Sequence, residues 1–197
     1  MRKAVDFRGK SILELGCGTG RLSQLALEAG AVSATLVDSS PKALSMARQL
    51  FGEAVEVEFI EADFRELRLE KKYDIVFSSG VLEHFSSAER PEIVNLHRRF
   101  SRRTVMILVP AGPHYNNLRM RLTKTIRLYG WQRPLSRRNM RQLFLETGIA
   151  VRVNRRFHPL YAVPRIERFD CLGKILRPLE SALGGLLITA GEIDGSR

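Results

Sequence analysis

Three glycines at alternate positions directly follow a strand-like run near the start of the sequence. Residues 12–20 read ILELGCGTG, and apolar residues at helical spacing follow at Leu22, Leu25 and Ala29. Glycine permits a sharp turn, a positive φ and close approach of a ligand to the backbone. The stretch therefore predicts a strand–loop–helix cradle for a nucleotide, and a tight turn without a ligand is the alternative. Arg21 stands where a dinucleotide-binding G-x-G-x-x-G loop has its third glycine, so that type of loop is disfavoured.

An acidic residue ends the next strand-like run. Residues 34–38 read ATLVD and finish in Asp38. A carboxylate at the tip of this strand is suited to ribose binding, because its two oxygens can accept hydrogen bonds from two ribose hydroxyls together. The alternative is that Asp38 caps the following helix, a role that Ser39 or Ser40 could fill in front of Pro41.

Two further strand-like runs bring polar residues to the same edge of the expected sheet. The alternating run at residues 55–60 is followed by Asp63 and Phe64, for which a surface turn is the alternative. Residues 73–85 read YDIVFSSGVLEHF, an apolar run that turns into small residues. Ser78 and Ser79 are therefore expected at a strand's carboxyl end, beside the crevice in which open α/β sheets bind ligands.

These runs resemble the motifs of a known enzyme family. ILELGCGTG is similar to motif I of the class I S-adenosylmethionine-dependent methyltransferases, and YDIVFSS is similar to their motif IV. The LEH that follows is common in members that methylate small metabolites. The resemblance covers about residues 11–110 and implies S-adenosyl-L-methionine as the cofactor. It implies an α/β fold, a Rossmann-like doubly wound sheet of seven strands in the order 3-2-1-4-5-7-6, with an antiparallel last strand and a helical insertion after strand 5.

The resemblance also implies roles for individual residues. Asp38 is expected to bind the ribose hydroxyls, Asp63 to accept from the adenine amino group, and Phe64 to help hold the adenine ring. The residues expected to bind the cofactor are Glu14, Gly16, Cys17, Gly18, Gly20, Asp38, Ser39, Asp63, Phe64, Ser78 and Ser79.

His84 is the histidine best placed to reach a methyl acceptor, because it follows the motif IV strand. Imidazole can take a proton from an attacking hydroxyl, which makes His84 the candidate catalytic base. Two alternatives stay open for His84: it shares a divalent metal with Glu83, or it has only a structural role. The metal-binding alternative is not favoured, and the sequence predicts no metal site. Glu83, His114 and Tyr115 are candidate residues of the acceptor side.

The implied reaction is an in-line displacement at the sulfonium methyl, with a small metabolite as acceptor and O-methylation favoured. No D/N/S-P-P-Y follows the motif IV strand, which disfavours methylation of the amino groups of adenine or glutamine. The alternatives are a methyltransferase that works on RNA or at a lipid surface, and a catalytically inactive cofactor-binding partner protein. A nicotinamide oxidoreductase is disfavoured by Arg21.

Further periodic runs supply the elements that must position these residues. Helices are predicted at residues 41–51, 91–100, 136–148 and about 166–183, and strands at residues 34–38, 55–60, 104–109, 149–153 and 186–190. Pro110 is expected to end the strand at residues 104–109.

The net charge of +11 is concentrated in the second half of the sequence. Residues 98–168 hold 17 Lys and Arg against two Glu, so they carry +15 and the remainder carries −4. A basic amphipathic helix is predicted after the fifth strand, with Arg119, Arg121, Lys124 and Arg127 around an apolar stripe. Contact with RNA or a membrane surface, a lid over the acceptor, and an ordinary packed helix are the alternatives for this segment.

The 197 residues are expected to form a single methyltransferase domain. Residues 11–110 are the expected cofactor-binding half, and residues 111–183 the expected substrate-side helices and basic region. No apolar run is long enough for a transmembrane helix, and two cysteines without disulfide or metal spacing suit a reducing cytoplasm. The sequence leaves the oligomeric state open.

Overall fold

The structure is a computed structural model that describes residues 4–52, 56–111, 132–133, 135–157 and 185–193. The predicted basic helix with its four cationic residues, the candidates His114 and Tyr115, and the helix predicted at residues 166–183 lie outside the described residues. Within the described ranges, no helix has the length and apolar character that crossing a bilayer requires.

Seven strands and four helices make up the described part of the chain. The strands are β1 (Ser11–Leu15), β2 (Ser33–Asp38), β3 (Val57–Glu61), β4 (Tyr73–Ser79), β5 (Ser101–Ala111), β6 (Ile149–Phe157) and β7 (Gly185–Ile193). The helices are α1 (Arg21–Leu27), α2 (Pro41–Phe51), α3 (Arg90–Phe100) and α4 (Arg137–Glu146), and a 3-10 turn covers Leu82–His84.

The strands form one sheet in the order β3-β2-β1-β4-β5-β7-β6. Strands β1 to β5 pair in parallel, whereas β7 runs antiparallel between β5 and β6. Both the order and the antiparallel last strand confirm the prediction. The direction in which strands are added reverses between β1 and β4, and such a switch point opens a crevice at the carboxyl ends of the strands.

The central strand β1 is buried on both faces, which explains its nearly continuous apolar sequence. Ile12 packs in one cluster with Leu44 and Ala47 of α2. Leu13 and Leu15 point to the other face and pack in a second cluster that includes residues of β2 and β4. The strand that carries the glycine loop is therefore fixed from both sides.

The capping signals in the sequence predict the starts of α2 and α4 correctly. Helix α4 begins with a capping box, in which Ser136 Oγ accepts from the Asn139 N–H at 3.1 Å and Asn139 Oδ1 accepts from the Ser136 N–H at 3.2 Å. The apolar periodicity of α2 predicts a buried side of Leu44, Ala47, Leu50 and Phe51, but Leu50 is 37% exposed. Leu50 precedes the buried Phe51 and so lies about 100° around the helix from it.

Strand β7 extends both of its neighbours beyond their predicted ends. Strand β5 does not stop before Pro110, because antiparallel pairing of Pro110 with Leu186 carries it to Ala111. Strand β6 was predicted to end at Val153, but its pairing with β7 continues to Phe157. Neither extension shows in local periodicity, because the partner strand is distant in sequence.

Replacing Gly20 with alanine is expected to destabilise the fold by about 1–3 kcal/mol, through overpacking. Gly20 has a φ of 74°, and an added Cβ would lie 2.8 Å from both Leu36 Cδ2 and Phe51 Cε2. Gly18→Ala is the matched control, because Gly18 also has a positive φ, 54°, but an added Cβ meets nothing within 4 Å. Urea unfolding of both variants measures the difference, and equal losses would contradict the packing argument.

Candidate functional site

The glycine loop after β1 folds back over the end of β2. The backbone N–H groups of Gly16 and Cys17 both donate to the carbonyl of Val37, at 2.8 and 3.0 Å. Gly16 has a φ of 68°, and a Cβ on it would lie 2.6 Å from Val81 Cγ2 in the loop after β4. Glycine is therefore required at the point where three strand ends meet.

Asp38 ties the glycine loop to the start of α2. Its Oδ2 accepts from the Gly18 N–H at 2.8 Å, and its Oδ1 accepts from the Ser40 N–H at 2.9 Å. A carboxylate oxygen accepts more than one hydrogen bond, so each oxygen keeps capacity for a hydroxyl of a ligand. The cap of α2 is Ser40, whose Oγ accepts from the Ala43 N–H at 3.2 Å, and the capping alternative for Asp38 is therefore wrong.

The loop after β3 contributes a carboxylate and an aromatic ring. Both oxygens of Asp63 lie 3.0 Å from Nε of Arg65, and Oδ2 also accepts from Nη2 of Arg65. This hydrogen-bonded guanidinium holds the pKa of Asp63 below its usual value. The Arg65 guanidinium lies 6.0 Å from the centroid of the Phe85 ring. Phe85 in turn packs edge-to-face against Phe64, with ring centroids 6.2 Å apart.

These residues surround a cleft of about 270 Å³ at the carboxyl ends of the strands. Its lining consists of Gly16, Asp38, Ser39, Ala62, Asp63, Phe64, Arg65 and Phe85. A larger hollow of about 430 Å³ borders the N-terminal segment and the end of α1. That hollow lies away from the strand tips, so the smaller cleft is the candidate site.

Glu14 lies beneath the glycine loop rather than in the cleft lining, with 2% of its surface exposed. Its Oε2 accepts from the N–H of Ser23 at 3.1 Å and from the Ser23 hydroxyl at 2.5 Å. Burial raises the pKa of Glu14 to about 8; the Ser23 hydrogen bonds oppose this shift, and the nearby Asp38 adds to it. Burial likewise raises the pKa of the Cys17 thiol.

The side chain of Ser78 does not face the cleft, contrary to the prediction that it binds a cofactor. Ser78 is fully buried, and its Oγ lies 2.8 Å from Nε2 of His97 in α3. Nδ1 of His97 lies 2.7 Å from the carbonyl of Ile93. A carbonyl only accepts, so Nδ1 carries the proton and Nε2 accepts from the Ser78 hydroxyl. Burial lowers the pKa of His97 to about 4, so the ring is neutral.

The loop after β4 separates the two residues that were considered as a metal-binding pair. Glu83 is buried, whereas the next residue, His84, is exposed, so the two side chains do not share one face. Across the described ranges, no three His, Cys, Asp or Glu side chains are grouped for a metal ion. The Glu83 carbonyl accepts from the Arg133 N–H at 2.8 Å, and the Arg133 carbonyl accepts from Arg90 Nη2 at 3.0 Å.

The structure thus brings only part of the predicted set to the cleft. Its lining includes five of the predicted residues, namely Gly16, Asp38, Ser39, Asp63 and Phe64. Among the predicted residues that the structure describes, those outside that lining are Glu14, Cys17, Gly18, Gly20, Ser78, Ser79, Glu83 and His84.

Sequence reasoning missed three lining residues, Ala62, Arg65 and Phe85, of which Ala62 directly precedes the predicted Asp63. Arg65 is two positions after Asp63, and this pairing of opposite charges was the signal that could have indicated a role for Arg65 beside Asp63. Phe85 follows the LEH run directly, and an aromatic residue after a strand end was the available signal.

The cleft matches the chemistry of a nucleoside. One carboxylate stands at the tip of β2 and a second in the loop after β3, and both accept hydrogen bonds from hydroxyl or amino groups. Two aromatic rings beside the second carboxylate offer apolar surface for a flat base.

Comparison with known proteins identifies a family model and several relatives. Residues 12–103 match the model of a family described as "Methyltransferase domain". The malonyl-[acyl-carrier protein] O-methyltransferase 1 of Ilyobacter polytropus is 38% identical over 74 residues, which cover 37% of this chain and 28% of that protein. The ubiquinone biosynthesis O-methyltransferase of Bordetella avium is 39% identical over 85 residues, covering 41% and 34%. The chain thus spans about a third of the length of these curated relatives.

Solved structures share the fold over nearly the whole chain. An S-adenosylmethionine-dependent methyltransferase from Mesorhizobium loti aligns with a TM-score of 0.69 and 18% identity, covering 95% of this chain and 93% of that one. At this identity the likeness establishes the fold, and it agrees with the strand order described above.

Proposed function

We propose that this chain is a class I S-adenosylmethionine-dependent methyltransferase, which binds S-adenosylmethionine and transfers its methyl group to a small-molecule acceptor. The observation that carries the proposal is the convergence of Asp38, Asp63 and the glycine loop on one cleft. An oxygen atom is the favoured acceptor, because the two relatives described above are both named O-methyltransferases.

The residues of the cleft fit this cofactor. Asp38 has acceptor capacity for the two ribose hydroxyls, and Phe64 and Phe85 offer ring surface to adenine. Asp63 already accepts hydrogen bonds from Arg65, but its oxygens have capacity for a further hydrogen bond from the adenine amino group.

The chain's contribution to the reaction is mainly positioning. When bound, the cofactor would supply an electrophilic methyl group on its sulfonium: the acceptor atom would bond to the methyl carbon as the carbon–sulfur bond breaks, and S-adenosylhomocysteine would leave. The loop after β4 holds the acceptor atom near attack distance, which lowers the entropic cost of the encounter. His84 is exposed in this loop and takes the proton of an acceptor hydroxyl as general base.

Methyl transfer from radiolabelled S-adenosylmethionine to extracted small molecules tests the proposal. We expect labelled product in the small-molecule fraction. Binding of S-adenosylhomocysteine without any transfer would instead support a cofactor-binding partner protein, and label confined to RNA or lipid fractions would reassign the acceptor class.

His84→Asn is expected to lower this transfer rate by a factor of about 100 or more, because general bases contribute 10²–10⁴-fold. Calorimetric binding of S-adenosylhomocysteine should stay unchanged, since His84 does not line the cleft. An unchanged transfer rate would leave His84 with a structural role.

A further inference from the structure

Arg65 lines the cleft and contacts both the carboxylate of Asp63 and the aromatic pair beside it. Its backbone N–H donates to Asp63 Oδ1 at 2.9 Å, its Nε lies 3.0 Å from both carboxylate oxygens, and its Nη2 donates to Oδ2. Its guanidinium also lies 6.0 Å from the centroid of the Phe85 ring, which packs edge-to-face on Phe64. One side chain therefore joins the loop after β3 to the loop after β4 at the cleft.

The hydrogen bonds from Arg65 use most of the acceptor capacity of Asp63. A carboxylate has about four lone-pair positions, and Arg65 brings three N–H donors to them, from its backbone, Nε and Nη2. About one position is left for a ligand. The terminal torsion of an aspartate is broad by itself, so the contacts with Arg65 fix the direction in which the remaining position points.

The pair of Arg65 and Asp63 is too exposed to act mainly as a stabiliser of the fold. The two side chains are 56% and 31% exposed. Ion pairs with this exposure add little to the free energy of unfolding, because water and salt screen them. Replacing Arg65 should therefore leave the fold intact and alter the cleft.

Purines with an amino group and with a carbonyl at position 6 make different demands on this carboxylate. Hydrogen bonds from Arg65 hold the pKa of Asp63 below its usual value, so the group is ionised at neutral pH and only accepts. The 6-amino group of adenine donates to such an acceptor. The 6-carbonyl of hypoxanthine is itself an acceptor, and the N1–H donor of that base lies one ring position away. A carboxylate fixed towards position 6 therefore fits adenine and does not fit hypoxanthine.

We propose that Arg65 is a positioning residue that makes the cleft select adenine: it holds Asp63 in one orientation, with one acceptor position open for a 6-amino group. Without Arg65 the carboxylate can turn towards the N1–H of hypoxanthine, and the discrimination falls. This inference rests on the proposed function, in which the cleft holds the nucleoside of S-adenosylmethionine.

Isothermal calorimetry with S-adenosylhomocysteine and with S-inosylhomocysteine, its hypoxanthine analogue, measures the discrimination as a ratio of dissociation constants. The wild type should favour the adenine ligand about 100-fold, as expected for a hydrogen bond to a charged group. Arg65→Gln should lower this ratio about tenfold, because the adenine ligand binds more weakly while the hypoxanthine ligand binds equally or more tightly. Arg65→Lys keeps the charge without the planar arrangement of donors, so it should restore the ratio only in part.

Two controls separate positioning from charge and from general damage. Arg68 is exposed in the same loop, donates to the carbonyls of Glu66 and Leu67, and lies outside the cleft lining. Arg68→Gln removes one positive charge there and should leave both affinities within about twofold of the wild type. In an Asp63→Asn background, Arg65→Gln should change the ratio little further, because the carboxylate that Arg65 positions is absent.

The outcomes separate the two proposals. If the wild type does not bind S-adenosylhomocysteine, the proposed function fails and this inference falls with it. If it binds but Arg65→Gln leaves the ratio of the wild type unchanged, Arg65 has no part in selecting the base, while the function stands. Full restoration of the ratio by Arg65→Lys would overturn the positioning role, because charge alone would then suffice.

Discussion

Replacing Asp38 with alanine is expected to weaken the binding of S-adenosylhomocysteine by about 1–3 kcal/mol, a five- to 150-fold loss of affinity. The variant removes the acceptor for the ribose hydroxyls. It also removes the acceptor for the N–H groups of Gly18 and Ser40, which hold the glycine loop against α2. The effect is expected to be large because both losses act on the same cleft. Isothermal calorimetry measures it directly.

Glu61→Gln is the matched control for this variant. Glu61 pairs with Asp38 in the register of β2 and β3 and also ends its strand, but it is exposed and lies outside the cleft lining. The control removes one negative charge from the same edge of the sheet and should leave affinity within about twofold of the wild type. Equal losses in both variants would mean that general charge, rather than hydrogen bonding by Asp38, governs binding.

Replacing His97 with glutamine is expected to remove a large part of the acid sensitivity of the fold. The pKa of His97 is about 4 in the folded protein and about 6.5 in an unfolded chain, so the unfolded state binds more protons between these values. Stability of the wild type is therefore fully present above pH 6.5 and falls as pH drops towards 4, by on the order of 3 kcal/mol from this group. The variant, which cannot titrate there, should show a correspondingly shallower decline.

Urea unfolding at pH 5 and pH 7.5 measures this effect. At pH 7.5 His97→Gln should itself cost about 1–3 kcal/mol, since the buried Ser78 hydroxyl and the Ile93 carbonyl lose well-placed partners. The exposed His84 provides the control, and His84→Gln should keep the decline of the wild type. If His97→Gln declines as steeply as the wild type, the buried ring does not govern the acid response.

The sequence predicted the features that depend on local chemistry. The glycine loop and the acid at the end of β2 follow from residue types, and the strand order follows from the resemblance that these residues carry. The resemblance also implied that Asp63 and Phe64 lie beside the cofactor, and both residues line the cleft.

Features that depend on distant partners were not predictable in this way. Ser78 was expected to face the cleft because it sits at a strand's carboxyl end, but alternation along β4 and the partner His97 turn its side chain inwards. The periodicity of α3 did not indicate the hydrogen bond between His97 and Ser78, because it shows only that His97 lies on the buried side of the helix with Ile93 and Phe100. The predicted ends of β5 and β6 failed for the same reason, since β7 sets them both.

The insertion of β7 between β5 and β6 has a consequence for how the chain reaches its fold. β6 is complete by Phe157, and among the residues that the structure describes its strand partner is β7, whose first residue is Gly185. While the ribosome is still adding residues before Gly185, β5 presents an open edge and β6 has no partner. The five parallel strands can assemble early, but closure of the sheet awaits a contact that spans some of the longest sequence separations in the fold. During that interval the exposed strand edges are the part of the nascent chain most open to association with other chains.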